Sequence, residues 1–149
     1  MSPQGYPHHS RTTPQNNTPE APPLNVARIK FVPLEADLFD GVAKQTAKTL
    51  SDNSKSNKPT QLRRFYDEIC LWAEKTDDDE TFRQSLPFIR MLNAKAAYAL
   101  GRNKLVDQNF VTLMGHCLGQ VNDAASLKLF KLFMEAVMGF YKELRPRDS

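Results

Sequence analysis

From Pro33 onward, apolar residues recur at steps of three and four, in five stretches separated by short polar breaks. That is the period of an amphipathic helix rather than of a strand. The first stretch begins at Pro33, which suits the first turn of a helix, and carries Leu34, Leu38 and Val42 with Phe39 and Leu50 beside them. Glu35 and Asp37 match its positive N-terminal end, and the polar run 52–57 reads as the loop that ends it. The second follows Pro59. Leu62, Phe65, Tyr66, Ile69, Cys70, Trp72 and Ala73 share one arc, and Arg63, Arg64, Asp67, Glu68, Glu74 and Lys75 lie opposite. The acidic run 77–80 reads as a solvated loop, followed by a turn over 81–85. Pro87 then opens a third helix with Phe88, Ile89, Leu92, Ala96, Ala99 and Leu100 on its core face and Gly101 as its C-terminal cap. A fourth is predicted from about 104 to 121, with Phe110, Val111, Leu113, Met114, Cys117, Leu118 and Val121 inward. Asp123 caps a fifth, over 124–144, whose apolar residues from Leu127 to Leu144 cover more than half of its circumference. Such a helix is central to a bundle or faces a partner chain, and these readings are compatible.

The pattern predicts an all-α fold: a compact bundle of about five helices over 33–145, with a short tail at 146–149. Residues 1–32 read differently. Seven of the ten prolines lie in the first 33 residues, and Asn, Gln, Thr and Ser fill most of the space between them. Such a segment buries too little to offset its chain entropy, so a disordered Pro-rich tail is expected. The weak alternation from Val26 to Val32 allows a short extended arm. His8 and His9 lack the further ligands that a metal site needs.

The charge of +3 is split between these parts. The tail holds Arg11, Arg28 and Lys30 against Glu20, which leaves the body close to neutral. A near-neutral body is not a polycation, so nucleic-acid binding would need a local patch. No apolar run reaches the ~18 residues of a membrane span, and no secretory signal is expected at the N-terminus. Cys70 and Cys117 both sit in apolar patterns, which suits reduced thiols in the cytoplasm.

Catalytic chemistry is not legible. There is no HExxH, no Gly-rich phosphate loop and no nucleophile–base ordering. His116 and Cys117 are neighbours on a helix and point about 100° apart, so they read as a boundary histidine and a core cysteine. The 77–80 run lacks the ligand spacing and glycine of a calcium loop. No enzyme, metal or cofactor is therefore expected.

Two basic faces carry alternatives. On the second helix, Arg64 and Lys75 are eleven residues apart and thus within about 20° of each other; Arg63 flanks them and Lys58 precedes the helix. Local pairing of Arg63 with Asp67 and of Arg64 with Glu68 competes with any role in binding. On the third, Met91, Lys95, Tyr98 and Arg102 form a band, Lys104 follows, and no acid occurs between Phe88 and Val106. Such a band suits phosphate contacts, with Tyr98 stacking or packing as core. Arg102 and Lys104 equally suit a helix C-terminus.

Three ordered blocks carry a resemblance. They are Pro59-Thr60-Gln61-Leu62-Arg63-Arg64-Phe65-Tyr66, Leu92-Asn93-Ala94-Lys95-Ala96-Ala97-Tyr98-Ala99-Leu100-Gly101-Arg102, and Phe130-Lys131-Leu132-Phe133-Met134-Glu135-Ala136-Val137-Met138-Gly139-Phe140-Tyr141-Lys142. In this order and spacing they resemble the small-subunit family of the type III-A (Csm) CRISPR–Cas effector complex, over about 34–144. The Pro-rich tail and the acidic 77–80 run lie outside that pattern. The resemblance implies a helical, non-catalytic, cytoplasmic subunit of an antiviral ribonucleoprotein. Copies of it line the inner filament beside the large and backbone subunits and contact the backbone of the guide RNA–target RNA duplex. Arg63, Arg64, Lys95 and Arg102 fall on its basic positions, and Lys58 and Lys75 are the flanking RNA-binding candidates. The alternative is a helical assembly module, a dimer or filament former, that does not touch nucleic acid. It would depend on a surface role for Phe133 or Phe140.

Overall fold

A computed structural model describes residues 22–145. The expected disorder of 1–21, the His8–His9 pair and the tail at 146–149 lie outside the described residues.

A single π-helical turn, Leu38–Val42, leads into α1 (Ala43–Ser51); α2 (Pro59–Lys75), α3 (Asp79–Gly101), α4 (Gln108–Leu118) and α5 (Ala124–Leu144) follow. No strand occurs among the described residues. The fold is all-α, as expected. α5 packs against α1, α2 and the π turn, while α3 packs against α4 and α2. The central reading of α5 holds on one side, where Phe130, Phe133, Met134 and Val137 are fully buried. Phe65 and Phe110 meet edge to face at 4.9 Å and join α2 to α4.

Four boundaries differ from the sequence reading. The first helical element begins at Leu38 rather than Pro33, and Leu34 is exposed. The Asp37 carboxylate accepts from the Gly41 N–H at 3.2 Å, and its backbone oxygen accepts from the Val42 N–H at 3.1 Å. A Cβ on Gly41 would lie 2.8 Å from that carboxylate, so any larger residue there would push the Asp37 side chain aside.

The third helix begins two turns earlier than Pro87. Asp78 accepts from the Thr81 N–H at 2.7 Å, and Asp79 accepts from the Ala124 N–H at 3.0 Å. The acidic run is thus a cap and a first turn, not a free loop. Internal proline costs about 3 kcal/mol, but Pro87 is on the exposed side of a helix whose Phe82, Ile89 and Leu92 are all buried. α4 starts at Gln108, capped by Asp107, because Asn103 and Lys104 take left-handed φ values of 54° and 52°. Gly101 is the last residue of α3 rather than its left-handed exit.

The fourth difference is at the N-terminus, where the packed body begins before residue 33. Leu24, Ile29 and Phe31 are buried, and the Phe31 ring lies 6.1 Å from Phe130 and 6.3 Å from Phe133. This strap lacks regular structure, so side chains satisfy its backbone. Asn109 accepts from Leu24 N–H and donates to the Pro22 carbonyl, while Gln120 accepts from Phe31 N–H and donates to the Ile29 carbonyl. His116 Nε2 also contacts that carbonyl, at 2.7 Å. His116 is accordingly a half-buried structural histidine, and burial pushes the Cys117 thiol up.

At α5, Asp123 and Ser126 form a reciprocal capping box. Hydrogen bonds from the Ser126 hydroxyl and backbone N–H hold the Asp123 carboxyl below its ordinary range. A lowered folded-state pKa gives stability that is complete above the unfolded value, about pH 4, and is lost as pH falls through the folded value. Asp123→Ala should therefore cost about 1 kcal/mol at pH 7. In urea unfolding, the difference from the parent chain should shrink towards zero near pH 2.

Candidate nucleic-acid interface

α2 and α3 lie side by side and antiparallel. Trp72 stacks on Phe88, and four residues back along α2 Glu68 pairs with Lys95, seven residues further along α3. Along α2, Arg64, Glu68, Leu71 and Lys75 share a face through the helical repeat. Along α3, Phe88, Met91, Lys95, Tyr98 and Arg102 do the same. These two faces adjoin. Tyr98 is exposed, which settles it as a surface residue and not core.

The six sequence-predicted residues divide by partner. Arg63 donates to the Asp67 carboxylate at 3.2 Å, as the local-pairing alternative requires, and it turns about 100° away from Arg64. Lys95 is bound to the Glu68 carboxylate. That leaves Arg64 without the Glu68 partner expected for it; Arg64 and Arg102 are exposed and form no ion pair among the described residues. Lys58 donates to the Ser54 carbonyl at 3.2 Å. The Lys75 ammonium sits 5.5 Å from the centroid of the Trp72 ring.

The structure also joins two loops that the sequence kept apart. Ser56 donates its hydroxyl to the Lys104 carbonyl at 2.7 Å, and Asn57 N–H donates to the Leu105 carbonyl at 3.0 Å. The polar run 52–57, read as a loop, therefore ends in two buried residues, Ser56 and Asn57. Asn57 has φ of 57°, donates to the Leu50 carbonyl and accepts from Asp107 N–H. Tyr141 donates to the Asn57 carbonyl, and Arg145 closes over the same loop. Docking of these loops sets the segment that carries Lys55 and Lys58 against the segment 104–105, at the end of the bundle where α2 starts and α3 ends. Lys55 was not visible as a candidate, because nothing in its own neighbourhood marks the loop as docked. The lone signal was asparagine, the residue that best tolerates left-handed backbone, at 57 and 103.

Guanidinium and ammonium groups held this way suit phosphate oxygens, which they meet through charge-assisted hydrogen bonds. The alternative of a surface formed by α5 loses its named residues. Phe133 is fully buried and Phe140 half-buried, so among the large apolar residues of α5 only Leu132 and Leu144 are exposed. No group of three or more His, Cys, Asp or Glu side chains converges among the described residues. No described helix is long and apolar enough to cross a membrane.

Comparison with family models matches residues 34–147 to the family described as Csm2, type III-A. Neither the curated proteins nor the solved structures compared gave a match.

Proposed function

Because the chain belongs to the Csm2 type III-A family, a small-subunit family of the type III-A CRISPR effector, we propose that it acts as a non-catalytic RNA-contacting subunit. In this reading, copies of it line the inner filament of the ribonucleoprotein in the cytoplasm, beside the large and backbone subunits. Each copy holds the phosphate backbone of the guide RNA–target RNA duplex and leaves sequence reading to base pairing.

The observation that carries the proposal is the contrast among the cations. Arg64 and Arg102 are exposed on adjoining helix faces with no counter-ion among the described residues, whereas Arg63 and Lys95 are paired with Asp67 and Glu68. Arg64 and Arg102 therefore make the primary phosphate contacts. The Arg63–Asp67 pair is largely solvated and contributes at most about 1 kcal/mol, so Arg63 can exchange its carboxylate for phosphate; Glu68 is only 23% exposed and holds Lys95 more closely. Lys58 and Lys75 flank the row. A near-neutral subunit suffices because contacts repeat from copy to copy and add as avidity.

Affinity purification of the tagged full chain from cells that carry its own locus tests this. A short guide RNA and Csm-type subunits should accompany it. Recovery of those subunits with no RNA would favour the assembly module, and recovery of neither would overturn both readings.

A further inference from the structure

We propose that Trp72 and Phe88 form a stacking platform for an unpaired nucleobase, beside the phosphate-contacting row and distinct from it. The inference rests on the RNA-contact reading above and adds a ligand chemistry to it, a base face in addition to a phosphate.

The two rings lie nearly parallel, with centroids 6.1 Å apart and an interplanar angle of 12°. Trp72 is half-buried, and its indole Nε1 is enclosed with no hydrogen-bond partner among the described residues. The position of the indole is thus set by packing. Phe88 is 55% exposed, on a helix whose core face is already supplied by Ile89 and Leu92. The fold does not need an aromatic ring there. One face of Phe88 meets Trp72, and the exposed remainder offers a flat apolar surface at the rim of the α2–α3 face. Met91, 51% exposed, stands one turn along.

The charges around the platform select the partner. Lys75 lies over Trp72, the Glu68 carboxylate is paired with Lys95, and Arg64 lies two turns back along α2 with no counter-ion among the described residues. Of the acids where α3 starts, Asp78 accepts from Thr81 N–H, Asp79 accepts from Ala124 N–H, and Glu80 lies about two turns before Phe88. Glu74 turns about 100° away from Lys75. An aromatic surface bordered by ammonium and guanidinium groups is the chemistry of single-strand binding. A docked protein helix would instead need a continuous apolar strip, and here the Glu68–Lys95 pair interrupts it. A base inside a duplex is already stacked on both faces, so the platform takes one that is splayed out or single-stranded. Along α3, Phe88 and Arg102 are fourteen residues or about 21 Å apart. One extended strand can therefore meet the ring and the arginine.

Trp72 is the only tryptophan of the chain, so its fluorescence reports on the platform directly. The full-length protein would be titrated with a single-stranded 12-mer RNA and with the same sequence fully paired, at fixed salt. Single-stranded RNA should quench Trp72. Phe88→Ala should weaken single-strand binding about tenfold and leave duplex binding unchanged. Phe88→Tyr should keep it and Phe88→Leu should not, because Leu keeps apolar area but no ring. Arg64→Glu with Arg102→Glu should weaken both RNAs. If Phe88→Ala changes neither RNA, or both alike, while the arginine dependence persists, the platform is overturned and the phosphate reading stands. Loss of subunit assembly in Phe88→Ala, with RNA binding intact, would make the patch a protein contact and overturn it too. An arginine pair without effect on duplex binding would instead sink the phosphate reading.

Discussion

Arg64→Glu combined with Arg102→Glu reduces target-RNA affinity of the reconstituted complex by roughly 100-fold near physiological salt. The size follows from two lost charge-assisted contacts at about 1.5 kcal/mol each. Reversal further adds repulsion, which is screened over about 8 Å at that ionic strength. The salt dependence should fall as well, by about one unit of log–log slope for each lost phosphate contact. Both side chains are exposed and without ion pairs among the described residues, so the melting temperature should stay within about 2 °C of the parent. Arg90→Glu is the control for general electrostatics. It makes the same charge change on α3, but the helical repeat turns Arg90 about 120° from Arg102. Arg63→Glu should fall between, because its Asp67 partner already shields it. Filter binding of labelled target RNA across a salt series would decide. A loss for Arg90→Glu equal to that of Arg102→Glu alone would show that net charge matters and position does not.

The second large effect is on stability. Asn57→Ala should cost about 3 kcal/mol and lower the melting temperature by about 10 °C. The buried Asn57 side chain satisfies the Leu50 carbonyl at 3.1 Å and the Asp107 N–H at 3.0 Å. Each buried polar group left without a partner costs about 1–3 kcal/mol. Alanine at φ of 57° adds about 1 kcal/mol of backbone strain. Substitutions can separate these contributions. Asn57→Gly should recover only the backbone part, and Asn57→Asp should keep the acceptor for Asp107 N–H but lose the donor to Leu50. Thermal melts of the three variants test the ranking. A loss of under 1 kcal/mol for Asn57→Ala would show that the loops dock without this residue.

How far the sequence could be read depended on whether the signal was local. Helix α5 was legible because its apolar period, its Asp123 cap and its ends agree within one stretch of chain. Arg63 with Asp67 was legible for the same reason, since both partners sit one turn apart. The start of α3 was missed because Pro87 looked like a beginning. What decides that start is the Asp78 cap, together with Ala124 of α5 donating to Asp79 across the fold. The Arg64–Glu68 pair failed because Lys95, twenty-seven residues away, takes that carboxylate. Docking of 52–57 onto 102–105 joins a polar loop to a stretch that, read alone, looks like the start of the fourth helix. Tertiary partners thus decide which cations remain free, and composition does not carry that information.

The strap has a practical consequence for anyone who cuts this gene. The family match begins at residue 34, an inviting place to start a shortened protein. Such a truncation would remove Leu24, Ile29 and Phe31 from the core and uncover the Phe130 and Phe133 rings. It would also strip the Ile29 carbonyl from His116 and Gln120, and the Leu24 N–H from Asn109. The trimmed protein would present a sticky apolar furrow along α5, and self-association measured on it would be an artefact of the cloning boundary.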